Sequence, residues 1–160
     1  DESESRGLGD VYKRQQVKKQ SMATGLERVL KTVDIKGKAY VTVNERVKYF
    51  REHFTGYKLI SEIVYQNDAK YLTWKEGEET KGAWRSAEIC FKSSILNENN
   101  DVVATGYAME KKEDSYINKT SYVENCETSS WGRALANFAI GVDASVASAD
   151  EVANAIKNQK

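Results

Sequence analysis

The chain has 160 residues, with 24 basic against 24 acidic side chains and 40% apolar residues, among them nine Tyr and three Trp. That is enough apolar material for one domain with a real core. It excludes disorder throughout, and a balanced charge means that any nucleic-acid role must come from local patches. No run of about eighteen apolar residues could span a membrane, no secretory pattern opens the chain, and one histidine with two isolated cysteines argues against zinc sites, disulfide frameworks and histidine-based triads.

Residues 1–15, DESESRGLGDVYKRQ, differ in character from the rest, and DVYKRQ resembles the translation of a transposon-derived adapter end. They read as a non-native or disordered segment and are left out of the fold. Residues 16–36 form a polar N-terminal segment, in which Leu26, Val29, Leu30 and Val33 are spaced as a short helix. The remaining 37–160 read as a single domain.

Lys36-Gly37-Lys38 marks a turn, and Tyr40 to Val43 is a short β-type run. Thr42 and Glu45 have capping-box spacing, so a helix is expected from there, with Val43, Val47, Phe50 and Phe54 on one face and Thr55-Gly56 at its end. The period then falls from 3.6 to 2. Tyr57 to Gln66 reads as a strand, Asn67-Asp68 as a turn, and Tyr71 to Lys75 as a short strand pairing back. Glu76 to Gly82 reads as a solvated tip, and Trp84 to Leu96 as the longest strand, with Ala87, Ile89, Phe91 and Ile95 on one face. Asn97 to Asp101 has turn composition. Val102 to Lys111 follows as a strand, where Gly106 points to a close backbone approach or a bend.

Ile117 to Gly141 reads as one long helix, with Ser121 as N-cap, Glu124 at the capping-box position and Gly141 as the left-handed C-terminal residue. One stripe carries Val123, Glu127, Trp131, Leu135 and Phe138. A second carries the small residues Cys126, Ser130 and Ala134 with Asn137. A polar edge carries Asn125, Ser129 and Arg133. Ser148 and Glu151 form a third capping box, opening a short helix from Ala149 to about Lys157. The expected fold is α+β: an antiparallel β-meander of three to four strands, a preceding helix, a long helix packed on one face, and a short C-terminal helix.

No Gly-rich phosphate loop follows a strand. Asp101 with Glu110-Lys111-Lys112 is the one enzyme-like set, of the kind a metal-dependent nuclease uses. Basic residues beside aromatics form a second set, since cations track phosphates while rings stack on bases. Arg46, Lys48 and Arg51 lie on the first helix. Lys111, Lys112, Tyr116, Lys119 and Tyr122 crowd the connection into the long helix, and Arg133 follows on it. Lys119 falls near that helix's N-terminus, whose free N–H groups also favour a phosphate. Ordinary solvated faces carry the same residue types.

The segment ENCETSSWGRALANFAIGVDASVASADEVANAI, Glu124 to Ile156, resembles the C-terminal half of phage DNA single-strand annealing domains of the Erf and Sak type, related in fold to the eukaryotic annealing recombinase. Those domains carry a helix of the form acidic–Thr–small–x–x–Arg–Ala–Leu, then an aromatic and Gly. Here that is Glu127-Thr128-Ser129-Ser130-Trp131-Gly132-Arg133-Ala134-Leu135, then Phe138 and Gly141. The order of elements over roughly residues 37–157 is similar too. Gly132 stands where the family usually has a second basic residue. The resemblance implies a non-enzymatic protein that binds single-stranded DNA and anneals it to its complement in phage-type homologous recombination. It needs no cofactor, metal or nucleotide hydrolysis. It would act in the host cytoplasm as a homo-oligomer, ring or filament, alongside a phage exonuclease or single-strand-binding protein. The alternatives are a plain single-stranded DNA-binding protein built on a closed barrel and the metal-dependent nuclease.

Overall fold

The structure, a computed structural model, describes residues 30–142 and 147–158. Its elements are β1 (Thr32–Ile35), β2 (Lys38–Val41), α1 (Val43–His53), β3 (Lys58–Asn67), β4 (Lys70–Glu76), β5 (Glu79–Arg85), β6 (Glu88–Leu96), β7 (Val102–Lys111), α2 (Asn118–Asn137) and α3 (Ala149–Asn158). The architecture is α+β, as its residue pattern predicts. An antiparallel meander in the order β3-β6-β7 has α2 across one face, α1 before it and α3 after it. Among the described residues no helix is long and apolar enough to cross a membrane.

β1 and β2 form a separate hairpin whose turn, Lys36-Gly37, holds both residues at positive φ, 54° and 80°. This is the backbone of a type I′ turn, which matches the twist of its flanking strands. Thr32–Ile35 is therefore strand where the apolar spacing predicts helix; the rest of that expected helix, up to Val29, lies outside the described residues, as do residues 1–15.

α1 begins as its cap dictates: the Glu45 N–H donates to Thr42 Oγ1 at 3.2 Å. The reciprocal half of the box is absent, because Glu45 Oε1 accepts instead from the Lys31 N–H at 3.3 Å.

The predicted turn at Asn67-Asp68 does not form. β3 and β4 run on as one arm of a long hairpin, and β5 and β6 return as the other. Register passes from Asn67↔Glu88 to Lys70↔Arg85 across a short break at 68–69 and 86–87. β4 accordingly pairs forward with β5 and does not fold back on β3. The tip is Gly77-Glu78, with Gly77 at φ 65°. Beyond the break the two strands leave the sheet as a two-stranded ribbon, 70–85, exposed along its whole length.

β7 occupies its predicted span, and Ala104, Gly106 and Ala108 face α2. A Cβ on Gly106 would run into the backbone of Arg133 and Ala134, so the expected close approach is that of α2 itself. The helix meets the sheet with its small stripe. Cys126, Ser130 and Ala134 are fully buried, whereas Val123, Glu127 and Trp131 are only half-buried. Ser93 and Ser130 hydroxyls bond each other at 2.6 Å, and the Cys126 thiol donates towards the carbonyls of Ile89 (3.3 Å) and Ala108 (3.2 Å). Burial pushes that thiol up to about 11, because an ionised sulfur there would lose its hydration.

One core cluster joins Phe50, Ile95, Ala104, Leu135, Phe138 and Ile140; a second joins Ile89, Phe91, Ala108 and Cys126. α2 differs from expectation at both ends. It starts with a turn at Asn118–Thr120 and kinks at Ser121 (φ −141°, ψ 29°). It ends at Asn137, where Ala139 takes φ 69°. The Ile140 N–H returns to the Leu135 carbonyl at 3.0 Å, and the Ala139 N–H to that of Ala136 at 2.8 Å. That is the Schellman pattern, placed two residues before Gly141 because it turns Phe138 and Ile140 into the core. α3 opens with both halves of its capping box, Glu151 N–H to Ser148 Oγ at 3.2 Å and Ser148 N–H to Glu151 Oε2 at 2.9 Å.

Candidate nucleic-acid interface

The residues singled out by charge and aromatic content do not form one patch. α1 packs on the C-terminal half of α2, where Val43 meets Gly132 and Phe50 meets Phe138. The connection 112–117 enters α2 at Asn118. With 1.5 Å of rise per residue, these places lie roughly 20 Å apart.

Arg46 has to be removed from the set. It is 0% exposed, and its guanidinium donates to the Gly132 carbonyl at 2.9 Å and the Ala147 carbonyl at 3.5 Å. It ties α1, α2 and the segment before α3 together, so it holds protein and not phosphate. Gly132 explains itself here: a Cβ would strike Val43 Cγ2 at 2.7 Å, so a long basic side chain at this position would push α1 away.

Lys48 and Arg51 are exposed on α1. Arg133 is exposed but paired with Glu151 at 2.8 Å, so part of its charge is answered internally. With Ser129 it lines a groove of about 440 Å³ beside the edge of β7, closed on its other side by Glu151, Asn154 and Ala155 of α3. The polar helix edge read from the sequence thus faces α3. Tyr122 is half-buried against the second core cluster, which takes its ring out of stacking reach.

The free N–H groups expected near Lys119 are occupied. Asn118 N–H donates to Ser115 Oγ at 3.0 Å, Lys119 N–H to the Ser115 carbonyl at 3.2 Å, and Thr120 and Ser121 N–H groups to the Ile117 carbonyl at 3.3 and 3.1 Å. Lys119 itself is exposed, and the Tyr116 ring is 88% exposed.

Lys111 and Lys112 gain neighbours that the sequence reading missed. By strand alternation Lys111 shares the uncovered face of the sheet with Tyr107 and Met109. It pairs in register with Glu88, beside the base of the ribbon, where Lys70 pairs with Arg85. Tyr65 and Tyr107 on the sheet, and Tyr71 and Trp84 on the ribbon, are exposed around this waist, Trp84 by 73%. Tyr71 and Trp84 meet edge to face at 5.5 Å, and the Lys92 ammonium sits 5.9 Å over the Tyr107 ring.

Glu88 sits in the middle of this waist. Its carboxylate accepts from Tyr65 Oη at 2.9 Å and Asn67 Nδ2 at 2.7 Å. Those bonds, with Lys111 and Arg85 nearby, hold it below the usual carboxylate range. Its charge is therefore spent locally, orienting Tyr65. The missed signal was the run KYLTWKEGEETKGAWR: its aromatics and cations alternate along two strands, but the predicted turn at 67–68 broke the reading there.

Asp101 and Glu110 stand nine residues apart along β7, roughly 30 Å. Asp101 belongs to the turn with Asn97 (3.2 Å), and Glu110 accepts from Asn118 Nδ2 at 2.7 Å. They do not form one site. The meander is open, with β3 and β7 at its edges, so the closed-barrel alternative does not describe it either.

No protein-family model, curated protein or solved structure matches this chain.

Proposed function

We propose that the protein binds single-stranded DNA at the waist between sheet and ribbon, and anneals it to a complementary strand. The observation that carries this is the cluster of exposed rings, Tyr65, Tyr71, Trp84 and Tyr107, set among Lys70, Arg85, Lys92, Lys111 and Lys112. Aromatic faces stack on bases regardless of sequence, and cations between them take the phosphates. A strand held by its base faces keeps its Watson–Crick edges open to a complement, which annealing requires. Base pairing supplies the free energy, so no nucleotide or cofactor enters the step.

The likeness of Glu124 to Ile156 to phage annealing domains supports the annealing half of the reading. That helix holds the sheet whose other face is proposed to bind. Lys119 and Tyr116 extend the path beyond the waist. Lys48 and Arg51 lie off it, and Arg133, paired with Glu151, shares a groove with Tyr107 and Met109 at the edge of β7.

The test mixes the protein with two complementary oligonucleotides, with and without magnesium, and follows duplex formation and strand length. Accelerated, magnesium-independent duplex formation with intact strands is expected. Binding without acceleration would leave a plain single-strand binder, and magnesium-dependent shortening would indicate a nuclease.

A further inference from the structure

The two edges of the meander are finished differently. Just before β6, Ala87 turns its carbonyl to the Lys112 N–H, so the odd residues of β6 bond to β7 and the even ones to β3. Alternation then places the backbone N–H and C=O groups of Leu59, Ser61 and Ile63 on the free edge of β3, and those of Thr105, Tyr107 and Met109 on the free edge of β7. The β7 edge is guarded. Asn137 Nδ2 donates to the Thr105 carbonyl at 3.1 Å, and α2 and α3 wall its groove. No described strand or side chain bonds to the three outward residues' main chain on β3. This is a ten-residue edge strand with Ile60, Ile63, Val64 and Tyr65 exposed, and it carries only Lys58 and Glu62 as charges. Proteins ordinarily blunt such edges with charge, proline, a bulge or cover, and the one bulge of β3 falls at Val64, beyond the three outward residues.

We infer that β3 is a homotypic pairing edge, joining two copies of this chain antiparallel about a two-fold axis at Ser61. That register pairs Leu59 with Ile63 of the second copy, Ser61 with its own counterpart, and Ile63 with Leu59, so that all three outward residues exchange main-chain bonds. The strand's own pattern fits a second copy of itself. Antiparallel pairing sets Lys58 diagonally across from Glu62 of the other copy on the uncovered face, within reach of long side chains. It also sets the aliphatic Leu59 and Ile63 together on the α2 side. A foreign strand would have no reason to match this order of cation and acid. Among the described residues Lys58 is held by Asn100 Oδ1 at 2.5 Å and Glu62 by Lys92 at 3.9 Å, both at the surface. The product is a six-stranded antiparallel sheet with its ribbons at opposite ends. The inference stands whether or not the waist binds DNA, and it requires two copies only.

The test is sedimentation equilibrium of the full chain without DNA, on the parent and three variants, with circular dichroism to confirm folding. The parent is expected to dimerise at micromolar concentration. Ile63→Lys, at an exposed site, is expected to weaken the dimer more than about a hundredfold by placing a charge on the pairing edge. Lys58→Glu alone should weaken it about three- to tenfold, and Lys58→Glu with Glu62→Lys should restore it. A parent that stays monomeric at 100-fold higher concentration (about 100 μM against the micromolar range) would overturn the inference. So would an oligomer whose affinity ignores both Ile63→Lys and the charge pair.

Discussion

The two faces of the β3-β6-β7 sheet come from the same strands and do opposite things. Towards α2 they present Ala104, Gly106, Ala108, Ser93 and Phe91, small or buried, and the helix comes close enough that a single added methyl at Gly106 has no room. Away from α2 they present Tyr65, Tyr107, Met109 and Lys111, all exposed, with the half-buried Lys92 among them. The ribbon continues that second character on both of its faces. An alternation of period two separates stability from recognition residue by residue, so mutations one position apart should fall into different classes.

The largest effect belongs to the covered side. Phe138, in contact with Phe50, Phe54 and Tyr57, closes the core where α1 and α2 meet. Phe138→Ala should cost about 3–5 kcal/mol of folding free energy, read by denaturant titration. Gly106→Ala should cost about 1–3 kcal/mol, because the backbone of α2 has to shift.

On the uncovered side, Trp84→Ala and Tyr107→Ala should leave stability within about 0.5 kcal/mol and weaken oligonucleotide binding by about 1–3 kcal/mol each. If Tyr107→Ala instead destabilised the fold as Gly106→Ala does, the division between faces would be broken. Lys111→Ala should lower the slope of log affinity against log salt by roughly 0.7. Lys48→Ala, on the far side of the molecule, should leave it unchanged.

The smallest effect is a gain. Ala139→Gly should stabilise the protein by about 0.5–1 kcal/mol, since Ala139 holds a left-handed backbone that glycine adopts without strain. The Cys126 thiol adds a pH dependence. Its pKa is raised in the fold to about 11, from an ordinary 9.0. The stability it lends is complete below pH 9 and is lost as pH rises through 11. A Cys126→Ala variant should show a shallower loss between those values.

Much of this fold was legible. Period-two and period-3.6 patterns, and the caps at Thr42 and Ser148, located α1, β3, β7 and α3 within a residue or two, and the end of β6; the strand expected from Trp84 breaks at 86–87, so that Trp84 belongs to β5 and β6 starts at Glu88. Three things were hidden, each because a long-range contact overrides a local rule. Asn67-Asp68 has turn chemistry, but the arm opposite supplies Arg85 and Glu88 as partners and the hairpin runs on. Gly141 looks like the left-handed residue that closes the helix, but burial of Phe138 and Ile140 ends α2 at Asn137 and gives that role to Ala139. Arg46 has the look of a surface cation on an amphipathic helix, and only the carbonyls brought in by Gly132 and Ala147 reveal it as a buried strut. For the candidate interface the legible part was Lys111, Lys112, Tyr116 and Lys119. The ribbon rings escaped because they flank a tip that reads as plain solvated loop.

The direct test of the waist uses the tryptophans. Three are present, Trp74 and Trp84 on the ribbon and Trp131 on α2, so in a Trp131→Phe variant all tryptophan emission comes from the ribbon. Oligo(dT) added at low salt should quench that emission saturably, with the same midpoint as binding followed by an end label on the strand, and Trp84→Ala should remove most of the quenching. Binding of the labelled strand with unchanged ribbon emission would place the DNA elsewhere and contradict the assignment.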